Sequence, residues 1–310
     1  MKILIILIIS VLFVVGACNN PNSKKYKNNG GGVGEVPLDE IVSGGPPRDG
    51  IPPIDNPKFV SVEKAKEFVE DDTLGILVKV NNDIRFYPYN ILTWHEIVND
   101  ELSGKPLSIT FCPLCATGIV FERDVNGRIL DFGTSGKLYQ SNLVMYDRQT
   151  DTYWSQAEGR AIRGEMFPTI LNRYPSSILE FTKAAELNPG IIVLSTDTGY
   201  IRNYKLNPYQ GYEDTEDIYF PIKNSDKRLP AKLLVYGISV DGKFKAYDYD
   251  KLIKQRVLED TFNGHELSIS VSEEDEIIVF DKTSNKRIVG FNSYWFSFAT
   301  HNPDAQIWIG

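Results

Sequence analysis

The chain has 310 residues, 42% hydrophobic and 24% charged, a globular composition that excludes disorder or a collagen-like repeat for most of its length. Asp plus Glu outnumber Lys plus Arg by 41 to 33, giving a formal charge of −8; the basic excess that grips a phosphate backbone is lacking, and nucleic acid is not an expected partner. Its 3 cysteines cannot build a disulfide framework.

Met1 and Lys2 precede an uncharged apolar run from Ile3 to Val15, the length of an export-signal core and short of the roughly 20 residues that span a bilayer. It ends Val15-Gly16-Ala17-Cys18, which resembles a bacterial lipobox, so residues 1–17 read as a lipoprotein-type signal peptide and Cys18 as the lipidated anchor. The mature chain is then expected in the cell envelope, outside the cytoplasm, held to a membrane by its lipid. Residues 18–56 are rich in Asn, Gly, Pro and Lys and read as a flexible tether, with Val36, Leu38 and Ile41 the residues that could dock on the folded part.

Ser61 is a natural N-cap for a short helix with Val62, Ala65, Phe68 and Val69 on one face. Two β-prone runs, Leu74 to Val80 and Ile84 to Tyr87, flank the turn Asn81-Asn82-Asp83. A helix from Asn90 through Asn99 follows, placing Ile91, Trp94, His95 and Val98 on one face. Ser108 to Phe111, Thr117 to Arg123 and Arg128 to Phe132 are strand-like. Further on, Ser177 with Glu180 three residues later suggests a capping box for a helix ending near Leu187, and a Tyr-, Asn- and Pro-rich loop runs to Tyr212.

The order of residues recurs about 160 positions later. Tyr87 aligns with Tyr247, Leu92 with Leu252, Asp100 with Asp260, and Leu107-Ser108-Ile109 with Leu267-Ser268-Ile269; after a one-residue slip Val120-Phe121 meets Val279-Phe280 and Phe132 meets Phe291. The fold expected is α+β, mainly β, in two pseudo-repeated β-rich halves, 57–212 and 213–310, each with a short helix after its first hairpin. Opposite His95, Cys112 and Cys115 in the second half stand Gln255, Ser272 and Asp275. Any chemistry therefore belongs to the first half, with the second as scaffold.

The sharpest chemical feature is Cys112-Pro113-Leu114-Cys115. Two thiols at this spacing chelate a metal or close a small disulfide. The β-prone residues after it favour a turn between strands, as in a metal knuckle, over the helix start of a thioredoxin-like site. With one knuckle only, a four-cysteine zinc site cannot form. Cys112, Cys115 and His95, with or without Met145, make a soft donor set suited to Cu(I) and acceptable to Zn(II). Glu96, Asp100, Asp147 and Arg148 could orient His95 or bind a polar ligand. Ser135 is not in a Gly-x-Ser-x-Gly setting, so a serine hydrolase is not expected, and no nucleotide cofactor is expected either.

Phe86-Tyr87-Pro88, His95 through Asp100, Phe111 through Cys115, Gly133-Thr134-Ser135-Gly136, Asn142 through Arg148, Trp154-Ser155-Gln156 and Gly159 together resemble the bacterial and archaeal domain-of-unknown-function 3179 family. The resemblance covers roughly Val60 to Tyr212 and continues more loosely to the C-terminus. It implies an exported or lipid-anchored protein and supplies no reaction. The leading expectation is copper binding at the Cys-x-x-Cys plus His site, with a protein that donates or accepts the metal as partner. The alternatives are a thiol–disulfide protein using Cys112 and Cys115 and a non-catalytic ligand-binding or structural module.

Overall fold

The computed structural model describes residues 34–310. The signal segment, Cys18 and the first part of the tether lie outside the described residues. Strand dominates, at 42% against 13% helix, as the alternating apolar pattern requires.

From Val36 on, the tether expectation does not hold. Val36, Ile41 and Ile54 are buried, Ile41–Ser43 pairs antiparallel with Phe132–Tyr139, and Ile54 bridges Val98. The apolar side chains spaced through this polar stretch have docking positions on the sheet, and that burial fixes the backbone between them.

The five-stranded sheet that carries the first hairpin has the order Ser177–Glu180, Leu74–Val80, Asp83–Pro88, Ile192–Leu194, Phe59–Val60. Ser61 caps the helix Val62–Ala65 by accepting from the Lys64 N–H. The helix after the hairpin, Tyr89–His95, is shorter than its apolar periodicity suggests. Glu96 adopts the left-handed conformation, φ 57°, and the chain turns into the strand Ile97–Leu102. Ile97 and Val98 belong to a strand buried on both faces, whose apolar run imitates a helical stripe. Likewise Ser177–Glu180 is a strand paired with Leu74–Val80, and the helix begins at Phe181; cross-strand pairing overrides the capping-box pattern.

Ile97–Leu102, Lys105–Cys112 and Thr117–Glu122 form a meander in a larger sheet. Its order continues through Phe291–Tyr294, Leu234–Val240, Lys243–Asp248 and Gln306–Trp308. One sheet thus crosses from the first part of the chain into the second, at the bridge between Gly118 and Asn292. A separate five-stranded sheet, Ile41–Ser43 through Arg160–Arg163, carries the Gly133-Thr134-Ser135 and Trp154-Ser155-Gln156 segments.

Strand, strand, helix and three strands over 74–122 recur in the same order over 234–281, and each hairpin then meets a later strand, helix and parallel strand. Ser177–Glu180 and Ile192–Leu194 flank the first hairpin as Phe291–Tyr294 and Gln306–Trp308 flank the second. Phe291 therefore corresponds in pairing to the start of Ser177–Glu180, not to Phe132 as the sequence register has it. The phenol of Tyr87 donates to Asp100 at 2.6 Å, and that of Tyr247 donates to Asp260 at the same distance.

Candidate functional site: a buried thiol pair under a tyrosine loop

Cys112 ends the strand Lys105–Cys112, and Cys115 lies in the four-residue turn before Thr117–Glu122, so the hairpin itself sets their spacing. Ala116 takes a positive φ, 47°, to close the turn, and the Cys115 N–H donates to the Cys112 carbonyl at 3.2 Å. The pair lies 3.6 Å apart, with Cys112 2% and Cys115 0% exposed.

Gln156, fully buried, ties this turn to the neighbouring sheet. Its amide donates to the Thr117 carbonyl at 2.9 Å and to Thr110 Oγ1 at 3.0 Å, and its oxygen accepts from Asn142 Nδ2 at 3.1 Å. From the second part of the chain, the Tyr294 N–H donates to the Cys115 carbonyl at 2.8 Å, and the Ser297 hydroxyl faces the Cys115 sulfur.

The two thiols differ in acidity. Burial pushes Cys112 well up, and the neighbouring Cys115 adds to the shift. Burial would push Cys115 up as well, but hydrogen bonds from Cys112, Ser297 and Asn142 outweigh it and hold this thiol below the ordinary range. While protonated, Cys115 donates to the Ser141 carbonyl at 3.1 Å; three donors against one acceptor favour the thiolate. Glu96, 7% exposed at the left-handed turn, is raised well above the usual carboxylate range by burial and by Cys112. The same burial thus favours the protonated form of Glu96 and of Cys112, while the donors around Cys115 favour its thiolate.

Glu96 and Leu114, which lies between the cysteines, line a cavity of about 220 Å³. Its other walls include Leu143, Tyr209, Tyr219 and Phe220. The tyrosines and Phe220 come from a long stretch without strand or helix, 195–233. Tyr209 sits close enough to Glu96 and Cys112, and Tyr212 to both cysteines, for these groups to add to the upward shift that burial gives each phenol. Lys232 packs 3.5 Å from the Tyr212 ring centroid and donates to its carbonyl.

His95 has a different place from the one expected. Its Nδ1 lies 2.7 Å from the Pro52 carbonyl and its Nε2 2.8 Å from the Tyr204 hydroxyl. Both ring nitrogens are engaged, so His95 pins the tyrosine loop and the N-terminal segment instead of joining the cysteines. Among the described residues no three His, Cys, Asp or Glu side chains come together as a metal-holding group. Met145 is fully buried in the same core cluster as the cysteines, in register with Thr134 and Trp154. Asp100 is taken by Arg85 and Tyr87, Asp147 by Trp154 and Thr150, and Arg148 by Asp55. Of the four residues expected to support the site, Glu96 alone reaches it.

Asn142, Gln156, Tyr209, Tyr212 and Ser297 were not singled out as site residues. Asn142 and Gln156 stand in the family motifs quoted above, and the Tyr-rich loop was visible as composition. Ser297 carries no local signal.

The fold and the site define a β-rich protein with a buried vicinal thiol pair and a buried carboxyl, Glu96, beside it. The chain belongs to the DUF3179 family, described as proteins of unknown function, whose pattern matches residues 48–305. No curated protein and no solved structure matches it.

Proposed function

We propose that this is an extracytoplasmic thiol–disulfide protein whose working unit is Cys112 and Cys115, with Glu96 as the proton-carrying group beside them. The observation that carries this reading is the pair itself: two sulfurs 3.6 Å apart on one hairpin turn, one thiol made more acidic and the other less. That asymmetry suits a nucleophile and a resolving thiol, because the thiolate attacks and the second thiol closes the bridge. The lipobox-like Val15 to Cys18 supports this reading, since an exported protein meets conditions in which oxidation of a vicinal pair is sustained. The recurrence of the 74–122 elements over 234–281 supports a duplicated unit in which one copy retains the thiols.

The test is redox equilibration of the full chain across a series of thiol–disulfide buffers, followed by alkylation and mass spectrometry. A single two-electron transition well above about −300 mV, lost in Cys112→Ser and in Cys115→Ser, marks a working pair; a transition below that range marks a structural bridge.

A second reading, binding of a soft metal and its exchange with a partner protein, rests on the same thiols. The lowered pKa of Cys115 and the dry apolar surroundings suit Cu(I) held by two sulfurs, with Met145 in the same cluster. Zinc is less suited, since His95 is engaged elsewhere. One equivalent of Cu(I) retained by the wild type and none by Cys112→Ser would favour this reading.

A further inference from the structure

Glu96 carries two features that its turn does not demand. It is only 7% exposed, and among the described residues its carboxyl makes no hydrogen bond and no ion pair. The helix Tyr249–Gln255, which follows the second hairpin as Tyr89–His95 follows the first, also ends on a positive-φ residue, Arg256, φ 66°. There the side chain is satisfied: the guanidinium pairs with Asp275 and donates to the Ser272 carbonyl at 2.6 Å. The turn alone therefore accounts for neither the burial nor the missing partner at Glu96. A buried carboxyl in that state is costly, and it calls for a donor or a countercharge from elsewhere.

What Glu96 has instead is the cavity it lines. At about 220 Å³ it has room for about seven waters of about 30 Å³ each, and so for one molecule the size of an amino acid. Leu114, Leu138 and Leu143 supply aliphatic wall, and Tyr209, Tyr219 and Phe220 supply aromatic wall. Lys137 lines the same cavity, and among the described residues its ammonium has no ion-pair or hydrogen-bond partner, Glu96 included. Exposure rises from Glu96 through half-buried Lys137 to Tyr219, at 59%, which puts Glu96 at the floor and Lys137 nearer the mouth.

Two unpaired charges of opposite sign, set apart around one small apolar space, call for a guest that carries both complements. A lone ammonium would answer Glu96 and gain from the aromatic rings, but it would meet Lys137 as a like charge. A lone carboxylate would answer Lys137 and leave Glu96 without a partner. An uncharged apolar guest would answer neither.

We propose that this cavity binds a small zwitterion with an apolar body, a free amino acid such as leucine, its ammonium on Glu96 and its carboxylate on Lys137. The aliphatic and aromatic walls then enclose the side chain. Neither cysteine lines the cavity, so this binding stands apart from the thiol–disulfide chemistry; Glu96 is the residue the two share.

The experiment is isothermal titration calorimetry of the full chain in detergent with L-leucine, isopentylamine and isocaproate. These share one skeleton and carry both charges, the ammonium alone and the carboxylate alone. Leucine is expected to saturate at one per chain, with each single-charge analogue weaker by about tenfold or more, as the loss of one charged hydrogen bond implies. Glu96→Gln should weaken leucine by about tenfold or more and leave isocaproate no weaker, and Lys137→Met should weaken leucine as much and leave isopentylamine no weaker. Lys137→Met keeps the stem at a half-buried strand position, so it still tests the pairing where circular dichroism shows that Glu96→Gln disturbs the fold. Isopentylamine binding as tightly as leucine, with Lys137→Met silent, overturns the zwitterion. Leucine binding that neither substitution weakens does so too, as does the absence of saturable heat up to about 10 mM leucine. The redox transition of Cys112 and Cys115 is a separate measurement that none of these outcomes decides.

Discussion

Replacing Gln156 by leucine tests whether the amide network holds the thiol turn. Gln156 is fully buried and makes three hydrogen bonds, to Thr110, the Thr117 carbonyl and Asn142. Thr110 keeps its own bond to the Ile119 carbonyl, so two groups are left without a partner, the Thr117 carbonyl and one Asn142 N–H. Each buried orphan costs about 1–3 kcal/mol, and the leucine recovers about 1 kcal/mol through its added apolar surface. The expected loss is therefore about 1–5 kcal/mol, read as a lower urea midpoint at unchanged slope. Asn142, freed from Gln156, no longer holds its amide toward Cys115, so the thiol should also ionise at higher pH, measured by the rate of iodoacetamide alkylation against pH. A loss below about 0.5 kcal/mol together with an unchanged alkylation profile refutes the network as the support of the site.

His95→Phe keeps a ring but breaks the bonds to Pro52 and Tyr204; it should destabilise by about 1–4 kcal/mol and open the loop to trypsin at Arg202 or Lys205, with the thiols still able to form a disulfide. If the same change abolished Cu(I) retention without loosening the loop, the ligand role would regain its standing. Burial lowers the His95 and His301 values, so the unfolded chain binds more protons just below the ordinary histidine range; the urea midpoint should fall as pH drops from about 6.5, checked between pH 7 and 5. Glu96 has the opposite sign. Its raised value contributes stability that is complete below the usual carboxylate range and lost as pH rises through the raised value, so Glu96→Gln should flatten the alkaline side of the profile and leave acid stability near wild type. Tyr87→Phe and Tyr247→Phe each remove a 2.6 Å bond to a carboxylate and should cost about 1.5–3 kcal/mol apiece by urea unfolding; widely unequal losses would count against equivalent roles for the two residues.

The hairpins and the thiol turn were legible because period-two apolar runs, turn residues and Cys-x-x-Cys are local signals. The helix after the first hairpin was read too long because Ile97 and Val98, buried on both strand faces, continue a helical spacing by coincidence. The segment from Val36 to Ile54 was assigned to a tether because composition averages over it, while a few apolar residues decide its docking. His95 showed the type and approximate position of a ligand, yet its role depends on Pro52 and Tyr204, 43 and 109 residues away in sequence. Glu96 was found beside the pair because it is next to His95, not because its burial could be foreseen. Ser297 could not be found at all, since a serine on an apolar helix has no signature until the sheet brings that helix against the cysteines.

That last contact changes where the centre belongs. Cys115 receives the Tyr294 amide and the Ser297 hydroxyl from one side and the Asn142 amide from the other, and the bridge from Gly118 to Asn292 stitches the two together. The acidity of the thiol is thus a property of the join. A fragment ending near Tyr212 would carry both cysteines and Glu96 while lacking Ser297, which lowers the Cys115 pKa, and the Tyr294 amide, which holds the Cys115 carbonyl.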